Sequence, residues 1–442
     1  MTIDPLWVGI GGVCLLLILL FGGVYVAVAL ALSGVLGIIV IIGFQPAMTL
    51  LVTTFFSYGI NYAFIVIPLF VAMGLFSAET GISKDSYDTL AKWLGPMRGG
   101  LGVATVGACT IFGTLTGSSI VTSMVFAKVS APEMIRHGYN KRMTYGLVAS
   151  AGSIGMMIPP SILVVFYALI TEESVGRLLM GGIGAGLVLA SCLSGAFILL
   201  LTLRPSFGPP TKKISATWKE RFVSLPKLWP ALVVATIVIG GIYAGIFTVV
   251  EAAGVGTFVL FLLFIISKGF SRRTWAPLSA TLREALSITA MVLLILVSAQ
   301  VFSRLLVLSG LGGIMTDFLI NADLTAIQFV VAVTALYILL GCLIDAFSIL
   351  AITIPVLLSV VESTGIDPIW FATLAILATQ IGTVTPPVGL TVYAVKGVAP
   401  SDVSLGDIFR GVTPFFVAMV IAQAILIRFP ILITWIPYHI WQ

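Results

Sequence analysis

The stretch Ile381-Gly382-Thr383-Val384-Thr385-Pro386-Pro387-Val388-Gly389 interrupts an apolar run that extends from about residue 369 to about residue 395. Two consecutive prolines remove two backbone donors and clash with the preceding turn, so an α-helix cannot continue through them. Polar backbone groups freed inside a membrane are tolerated only where they line a protein cavity or bind a ligand. The stretch therefore predicts a broken membrane helix that carries a candidate site.

The composition places this break in a membrane protein. Of the 442 residues, 59% are hydrophobic and only 9% are charged, about a third of the charged fraction usual for a soluble domain. The net charge of +5 does not indicate nucleic-acid binding, because the basic residues lie in short loops between apolar runs. The start Met1-Thr2-Ile3-Asp4 has no basic region, so the first apolar run predicts a retained span and not a cleaved signal peptide.

The side chains that metal and covalent chemistry need are scarce. The four cysteines are isolated within apolar runs, which predicts buried free thiols: Cys14, Cys109, Cys192 and Cys342. The sequence has two histidines, too few to ligate haem or to build typical zinc sites. No nucleophile, base and orienting group can be assembled, so we expect a protein that is not an enzyme.

The break occurs twice. Pro159-Pro160 precedes Pro386-Pro387 by 227 positions, Gly155 precedes Gly382 by the same offset, and Gly113 precedes Gly341 by 228. An offset that holds over some eighty positions indicates an internal duplication. Each copy is predicted to hold a surface helix, a re-entrant hairpin and a Pro-Pro-broken helix, and the first hairpin is predicted to turn near Gly117.

The fold class is therefore predicted as an all-α polytopic membrane protein with an inverted repeat, two re-entrant hairpins and two broken helices, the architecture of an alternating-access secondary transporter. Thr248 and Glu251 fit a capping box. The predicted spans include two within 6–43 that meet at Gly22-Gly23, a third over about 48–76 and a last over about 412–433. The predicted divisions are N-terminal scaffold spans (1–76), first repeat (77–203), cytoplasmic basic connector (204–228), scaffold spans with the lead-in helix of the second repeat (229–308) and second repeat (309–442).

The basic residues set the orientation. Of the 22 Lys and Arg residues, 19 fall in five segments: 78–99, 128–142, 204–228, 268–283 and 396–410. The positive-inside rule places these segments in the cytoplasm. The first hairpin then enters from the cytoplasm and the second from outside, so the two copies are inverted.

The hairpin tips and breaks offer oxygen ligands, which Na⁺ prefers, beside helix N-termini, which favour carboxylates. The predicted cation-binding residues are Gly113, Thr116, Ser118, Ser119, Gly155, Met157, Pro159, Asp345, Ser348, Gly382, Thr383, Thr385 and Pro386. The predicted substrate-binding residues are Arg304, Gly117, Ser119, Pro160 and Pro387. The alternative is that the small residues serve close helix packing.

Two charges break the repeat: Asp345 stands opposite Gly117, and Arg304 opposite Leu75. A charge near the bilayer centre costs about 2.5–3.5 kcal/mol on insertion scales. We expect Asp345 to act in binding the coupling ion, and the alternative is a helix cap. We expect Arg304 to pair with a substrate carboxylate, and the alternative is that its side chain reaches to the membrane surface.

Several motifs resemble the large membrane subunit of the tripartite ATP-independent periplasmic (TRAP) transporters. They are the Gly117-Ser118-Ser119 tip, Pro-Pro in both halves, Glu251-Ala252-Ala253 and the preceding Gly241-Ile242-Tyr243-Ala244-Gly245-Ile246-Phe247-Thr248. The resemblance covers nearly the whole chain. It implies an elevator-type Na⁺-driven importer of organic anions, typically C4-dicarboxylates or sialic acid, in the bacterial inner membrane.

The resemblance also implies partners: a small four-helix membrane subunit, expected as a separate chain, and a periplasmic substrate-binding protein. Membrane lipid surrounds the spans. One alternative is a stand-alone Na⁺- or H⁺-coupled organic anion symporter that needs no binding protein. Another is a proton-pumping subunit. Such subunits need chains of membrane-embedded Lys, Glu and His, and the apolar runs of this sequence contain almost none, so this alternative is disfavoured.

Overall fold

The computed structural model describes residues 4–208, 216–269, 272–311, 313 and 325–440, and these ranges contain helices and connecting turns. The N-terminal part forms four helices: α1 (Pro5–Phe21), α2 (Val26–Ile42), α3 (Phe44–Gly59) and α4 (Val66–Glu79). The predicted turn at Gly22-Gly23 is confirmed, since α1 ends before it. The single span predicted over 48–76 is wrong. The Asn61 side chain accepts a hydrogen bond from the Ala63 amide at 3.0 Å and caps a short 3₁₀ turn (Tyr62–Ile65) that separates α3 from α4.

The first repeat consists of six helices: α5 (Ile82–Leu94), α6 (Gly100–Thr116), α7 (Ser119–Arg136), α8 (Lys141–Gly152), α9 (Ile162–Thr171) and α10 (Val175–Leu203). Helices α6 and α7 form the predicted hairpin, here called hairpin 1 (residues 100–136). Gly117 turns the chain with φ = 57°, a conformation that glycine adopts without strain. The second arm continues as helix to Arg136. The prediction that the basic residues of segment 128–142 lie in a short loop is therefore wrong for Lys128 to Arg136.

Helix α5 was predicted to lie on the membrane surface, and its apolar face packs against the rest of the protein. Tyr87 is 1% exposed. On the other side Trp93 Nε1 donates to the Arg221 carbonyl at 3.2 Å and Thr89 Oγ1 to the Ser224 carbonyl at 3.1 Å. The basic connector thus holds α5 in place. Connector residues 209–215 lie outside the described residues.

The middle of the chain comprises α11 (Trp218–Ser224), α12 (Trp229–Ala235), α13 (Gly241–Tyr243), α14 (Val249–Lys268) and α15 (Arg272–Ser309). A π-helical turn, Thr236–Gly240, joins α12 to α13. The capping box predicted for Glu251 is confirmed, because its carboxylate accepts from the Thr248 amide at 2.8 Å and its own amide donates to Thr248 Oγ1 at 3.3 Å.

The second repeat contains α16 (Ala326–Gly341), α17 (Ala346–Ser363), α18 (Pro368–Thr383), α19 (Leu390–Val398), α20 (Leu405–Arg428) and α21 (Ile431–Ile440). Helices α16 and α17 form hairpin 2 (residues 326–363). The arm predicted before it falls mostly on residues 312 and 314–324, outside the described residues. The bounds predicted for the last span are wrong, because a capping box of Ser404 and Asp407 starts α20 earlier and Pro430 separates it from α21.

Contacts between the basic segments support the predicted orientation. Lys268 pairs with Glu79 at 2.9 Å, and Arg142 with Asp407 at 2.6 Å. The Asn140 amide donates to the Phe207 carbonyl at 3.0 Å, which joins segment 128–142 to segment 204–228, and Thr89 joins segment 204–228 to segment 78–99. All five segments therefore lie at one end of the protein, together with the base of hairpin 1.

The base of hairpin 2 lies at the opposite end. Helix α20 runs about 28 Å from Asp407, at the end of the basic segments, to Leu426. The Leu426 carbonyl accepts from Trp370 Nε1 at 3.0 Å, and Asp367, four residues after α17, accepts from Tyr438 at 2.6 Å. The two hairpins enter from opposite ends, so the predicted inversion of the repeats is confirmed.

Candidate functional site

In each half, the first arm of the hairpin meets the broken helix through a pair of glycines. A Cβ atom built on Gly113 would lie 2.8 Å from the Gly155 Cα, and one built on Gly341 would lie 2.8 Å from the Gly382 Cα. Real Cβ atoms do not approach a backbone this closely. The glycines therefore let two backbones touch, which is the packing alternative weighed for these positions.

The broken helices are interrupted at break 1 (residues 153–161) and break 2 (residues 384–389), and each hairpin tip bonds to a residue within the break or directly after it. In the first half the Ile162 amide donates to the Gly117 carbonyl at 3.4 Å, and in the second the Val388 amide donates to the Cys342 carbonyl at 3.1 Å. Each Pro-Pro peptide bond within the breaks is cis. Tip and break therefore form one unit in each half.

The first unit gathers neutral oxygens. Thr116 Oγ1 lies 2.9 Å from Thr122 Oγ1, and Ser118 caps α7 by accepting from the Val121 amide at 3.4 Å. Ser119 is the first residue of α7 and is buried. The Ser118 carbonyl faces Gly155, where an added Cβ would lie 3.0 Å from it.

Within break 1 the remaining predicted residues lie between helices. Met157 follows the 3₁₀ turn Ser153–Met156, and its carbonyl faces Gly182 of α10. Pro159 and Pro160 precede α9, and the Pro160 carbonyl faces Gly117. Hairpin 1 and break 1 therefore bring together Gly113, Gly117, Ser118, Gly155 and Pro160, whereas Met157 and Pro159 face Gly182 of α10.

The second unit contains a carboxylate. Asp345 is half-buried and caps α17, because its Oδ1 accepts from the Ser348 amide at 3.1 Å and its Oδ2 from the Ser348 hydroxyl. The cap, given as the alternative role of Asp345, is confirmed. Asp345 occupies the capping position that Ser118 holds in the first half, 227 residues earlier. Aligned by sequence, Asp345 stands opposite Gly117, one residue before the cap.

The hydroxyl at the end of α18 and the hydroxyl in break 2 both bond back to α18. Thr383 Oγ1 donates to the Gln380 carbonyl at 2.9 Å and Thr385 Oγ1 to the Ile381 carbonyl at 2.6 Å. Thr383 Oγ1 also accepts from Thr391 Oγ1 at 3.5 Å. One lone pair of Thr383 Oγ1 and both lone pairs of Thr385 Oγ1 therefore stay available to a further ligand. Pro386 and Pro387 lie between Thr385 and the start of α19.

Arg304 lies apart from these units. Its side chain is exposed on α15, and the gap beside it is lined by residues of α2 and α3 such as Ile38 and Leu51. Neither hairpin tip and neither break contributes to that gap. The structure thus does not bring Arg304 together with the other predicted substrate-binding residues.

The two halves meet through residues that the sequence did not single out. Gln380 Nε2 donates to the Met156 sulfur at 3.2 Å, across the two broken helices. Phe166 of α9 packs edge-on against Phe347 at the start of α17, with the ring centroids 5.2 Å apart. The broken helices and hairpins of both copies therefore form one interlocked assembly.

Two fully buried side-chain oxygens beside this contact have no hydrogen-bond partner among the described residues: Ser153 Oγ and Gln380 Oε1. Ser153 and Met156 share a face, because side chains at i and i+3 eclipse in a 3₁₀ turn. Ser153 and Gln380 are separated by 227 positions, the repeat offset. That offset is the signal by which the pair could have been found from sequence.

The sequence of the chain matches one family along most of its length. Residues 13–432 match the profile of the tripartite ATP-independent periplasmic transporter, DctM component. The chain belongs to this family. This match confirms that the chain is the large membrane subunit of a TRAP transporter, as the resemblance of the Pro-Pro breaks and the Gly117-Ser118-Ser119 tip had indicated.

Several relatives in this TRAP family are large permease proteins. The C4-dicarboxylate TRAP transporter large permease protein DctM of Vibrio cholerae is 29% identical over 453 residues, covering 96% of this chain and 97% of the relative. The sialic acid protein SiaM of Vibrio cholerae is 28% identical and covers 84% and 85%. The 2,3-diketo-L-gulonate protein YiaN of Escherichia coli is 31% identical and covers 84% and 86%.

Solved structures share the fold. The YdaH transporter of Alcanivorax borkumensis superposes with a TM-score of 0.66 at 14% identity, covering 89% of this chain and 90% of YdaH. MtrF of Neisseria gonorrhoeae superposes with a TM-score of 0.62 at 15% identity, covering 88% of this chain and 84% of MtrF. These likenesses concern the fold alone.

Membership in the family fixes the class of activity. The chain is a transporter subunit, and its relatives are permeases, not enzymes. Seven helices in the described ranges are long and apolar enough to cross a membrane. The TRAP subunit is accordingly a multi-pass protein of the bacterial inner membrane.

Proposed function

We propose that this TRAP subunit imports an organic acid anion by coupling it to Na⁺. The observation that carries the proposal is the pairing of a hairpin tip with a helix break in each half, where hydroxyl and carbonyl oxygens lie, joined in the second half by the Asp345 carboxylate. Oxygen donors of this kind suit Na⁺, and helix N-termini beside them suit a carboxylate. C4-dicarboxylates and sialic acid are the substrate classes that the relatives' names favour.

The two units divide the proposed cation sites. The first would use Gly113, Thr116, Ser118, Ser119, Gly155, Met157 and Pro159. The second would use Asp345, Ser348, Gly382, Thr383, Thr385 and Pro386. The anion would lie beside them, against Gly117, Ser119, Pro160 and Pro387.

An elevator movement fits the proposed division of the chain. The hairpins and broken helices interlock through Gln380, Met156, Phe166 and Phe347, which supports their moving as one body. The N-terminal spans and residues 229–308 would form the fixed scaffold. A small four-helix membrane subunit and a periplasmic binding protein would complete the transporter, and the binding protein would deliver the anion.

Reconstitution tests this function. Proteoliposomes that hold the chain and its candidate partners should take up a labelled C4-dicarboxylate or sialic acid when an inward Na⁺ gradient is present. Uptake that ignored Na⁺ but followed a proton gradient would overturn the coupling. Uptake without any binding protein would favour the stand-alone symporter.

Arg304 gives a separate test, because the sequence predicts that it pairs with the substrate carboxylate, whereas its side chain lies apart from both hairpin tips and both breaks. If Arg304 binds the carboxylate during transport, Arg304→Gln should abolish uptake while leaving the amount of protein in the membrane unchanged. Arg428→Gln is the matched control, since Arg428 ends α20 and stacks on Phe429 at 5.5 Å. Near-normal uptake by Arg304→Gln would remove Arg304 from the substrate site.

A further inference from the structure

A cavity of about 410 Å³ separates hairpin 1 from the helices that face it. One wall is α7, and the opposite wall is formed by α4, the start of α5 and α15. The lining residues are Leu75, Ala78, Glu79, Ser83, Val121, Met124, Val125, Lys128, Val129, Thr281 and Glu284.

The cavity connects the tip of hairpin 1 with the cytoplasmic end of the protein. Its lining on α7 extends from Val121 to Val129, a distance of about 12 Å at the rise of an α-helix. The Val121 amide donates to the Ser118 hydroxyl at the tip. Lys128 is the first residue of segment 128–142, which the positive-inside rule places in the cytoplasm.

The two walls carry opposite charges. Glu79 is neutralised by Lys268 at 2.9 Å. Within the described part of the chain, neither Lys128 nor Glu284 has a salt bridge or a side-chain hydrogen bond. Both residues are exposed. The hairpin wall therefore presents one positive charge, and the opposite wall one negative charge, without a salt-bridge partner among the described residues.

We propose that this cavity is the route by which the organic anion leaves the tip of hairpin 1 for the cytoplasm, and that Lys128 is a transient binding residue for its carboxylate on the way. The inference rests on the proposed import of an organic anion. The low-dielectric walls of the cavity focus the field of the Lys128 ammonium group, which therefore attracts a carboxylate that passes through the cavity. Glu284 across the cavity repels the same carboxylate and favours its release.

The test compares the two sides of the membrane. Exchange of labelled anion is measured in right-side-out and inside-out vesicles that contain the chain with its partners, for the wild type and Lys128→Gln. We expect Lys128→Gln to raise the half-saturating concentration of anion on the cytoplasmic side about fivefold, the size of one weak charge pair. The half-saturating concentration on the periplasmic side should stay unchanged.

Three further variants make the result specific. Lys128→Arg should restore the wild-type value, because it keeps the charge. Glu284→Gln should lower the cytoplasmic half-saturating concentration. Lys141→Gln is the matched control, since Lys141 is a cytoplasmic lysine that pairs with Asp402 outside the cavity, and it should change neither side.

Equal changes on both sides, or no change with Lys128→Gln, would overturn the role of Lys128. If the wild type carried no anion in either vesicle, the proposed function itself would fail.

A labelling experiment tests the route without transport. In a chain whose four cysteines are replaced by serine, Val121→Cys should react with a membrane-impermeant maleimide added from the cytoplasm. No reaction at Val121→Cys would show that the cavity is closed to the cytoplasm.

Discussion

Hairpin 1 turns at Gly117 and Ser118, and hairpin 2 turns between Cys342 and Asp345. A carbonyl at each tip accepts a hydrogen bond from an amide in or directly after the adjacent break, and both first arms touch the broken helix through paired glycines. The helix after the turn is capped by a neutral hydroxyl in one half and by a carboxylate in the other. The duplication has therefore kept the backbone geometry and let the charge at the tip diverge.

The largest expected effect concerns the shared geometry. Gly113→Ala and Gly341→Ala should each destabilise the protein by about 1–3 kcal/mol, because the added methyl group meets backbone atoms that cannot move alone. The check is the melting temperature of the purified protein, and the losses should be similar in the two halves. Gly195→Ala is the control, since open space surrounds Gly195, and it should be neutral or stabilising. Wild-type melting of Gly341→Ala would break the equivalence of the halves.

The next effect concerns the charge that separates the halves. Asp345→Asn keeps the cap, because Asn caps helices as well as Asp does, and it removes the negative charge. We expect the half-saturating Na⁺ concentration for uptake to rise about tenfold or more. The increase in melting temperature that bound Na⁺ gives should disappear with it.

Asp367→Asn is the matched control for Asp345→Asn. Asp367 also caps a helix, by accepting from the Trp370 amide at 2.8 Å, but it lies at the base of hairpin 2. It should leave the Na⁺ response unchanged. An unchanged Na⁺ response in Asp345→Asn as well would reduce Asp345 to a cap.

A smaller effect is expected from making the halves alike. Ser118→Asp places a carboxylate at the capping position equivalent to that of Asp345, where it keeps the cap and faces a helix N-terminus. We expect the half-saturating Na⁺ concentration to fall severalfold, with little change in melting temperature. Ser118→Asn, which keeps the cap without a charge, should leave the Na⁺ response near that of the wild type. If both variants behaved alike, the charge at the first tip would have no influence on cation binding.

The smallest expected effect concerns the oxygens where the halves meet. Ser153→Ala removes a buried hydroxyl without a partner among the described residues, so the free energy of unfolding should change by less than about 0.5 kcal/mol or rise. Ser161→Ala is the comparison. Its buried hydroxyl donates to the Met156 carbonyl at 2.6 Å and caps α9, so its loss should cost about 1 kcal/mol. If Ser153→Ala and Ser161→Ala lowered the free energy of unfolding equally, Ser153 would have a bound partner.

Much of the fold could be predicted because its signals are local. Pro159-Pro160 and Pro386-Pro387 break helices wherever they stand, Gly117 permits a tight turn, and Thr248 with Glu251 caps a helix within four residues. The constant offset between the copies needs no structure to be seen. The misplaced bounds arose where a single polar side chain decided the boundary, as Asn61 does between α3 and α4.

The candidate site could be predicted only in part. Sequence patterns marked the tips and breaks, but not which oxygens are already occupied. Asp345 illustrates the limit, since the same carboxylate is needed for a cap and is available to an ion only in part. Arg304 illustrates another, because a charge in an apolar run does not reveal which helices surround it.

The sequence by itself determined that this protein is a duplicated membrane protein with two broken helices and two re-entrant hairpins, since composition, proline chemistry and glycine spacing act within a few residues. Only the tertiary structure decided that Asp345 is the counterpart of Ser118, that Ser153 and Gln380 lie near the contact between the halves, and that Lys128 faces Glu284 across a cavity. Such relations join residues far apart in the chain. They depend on how whole helices pack, which no local pattern specifies.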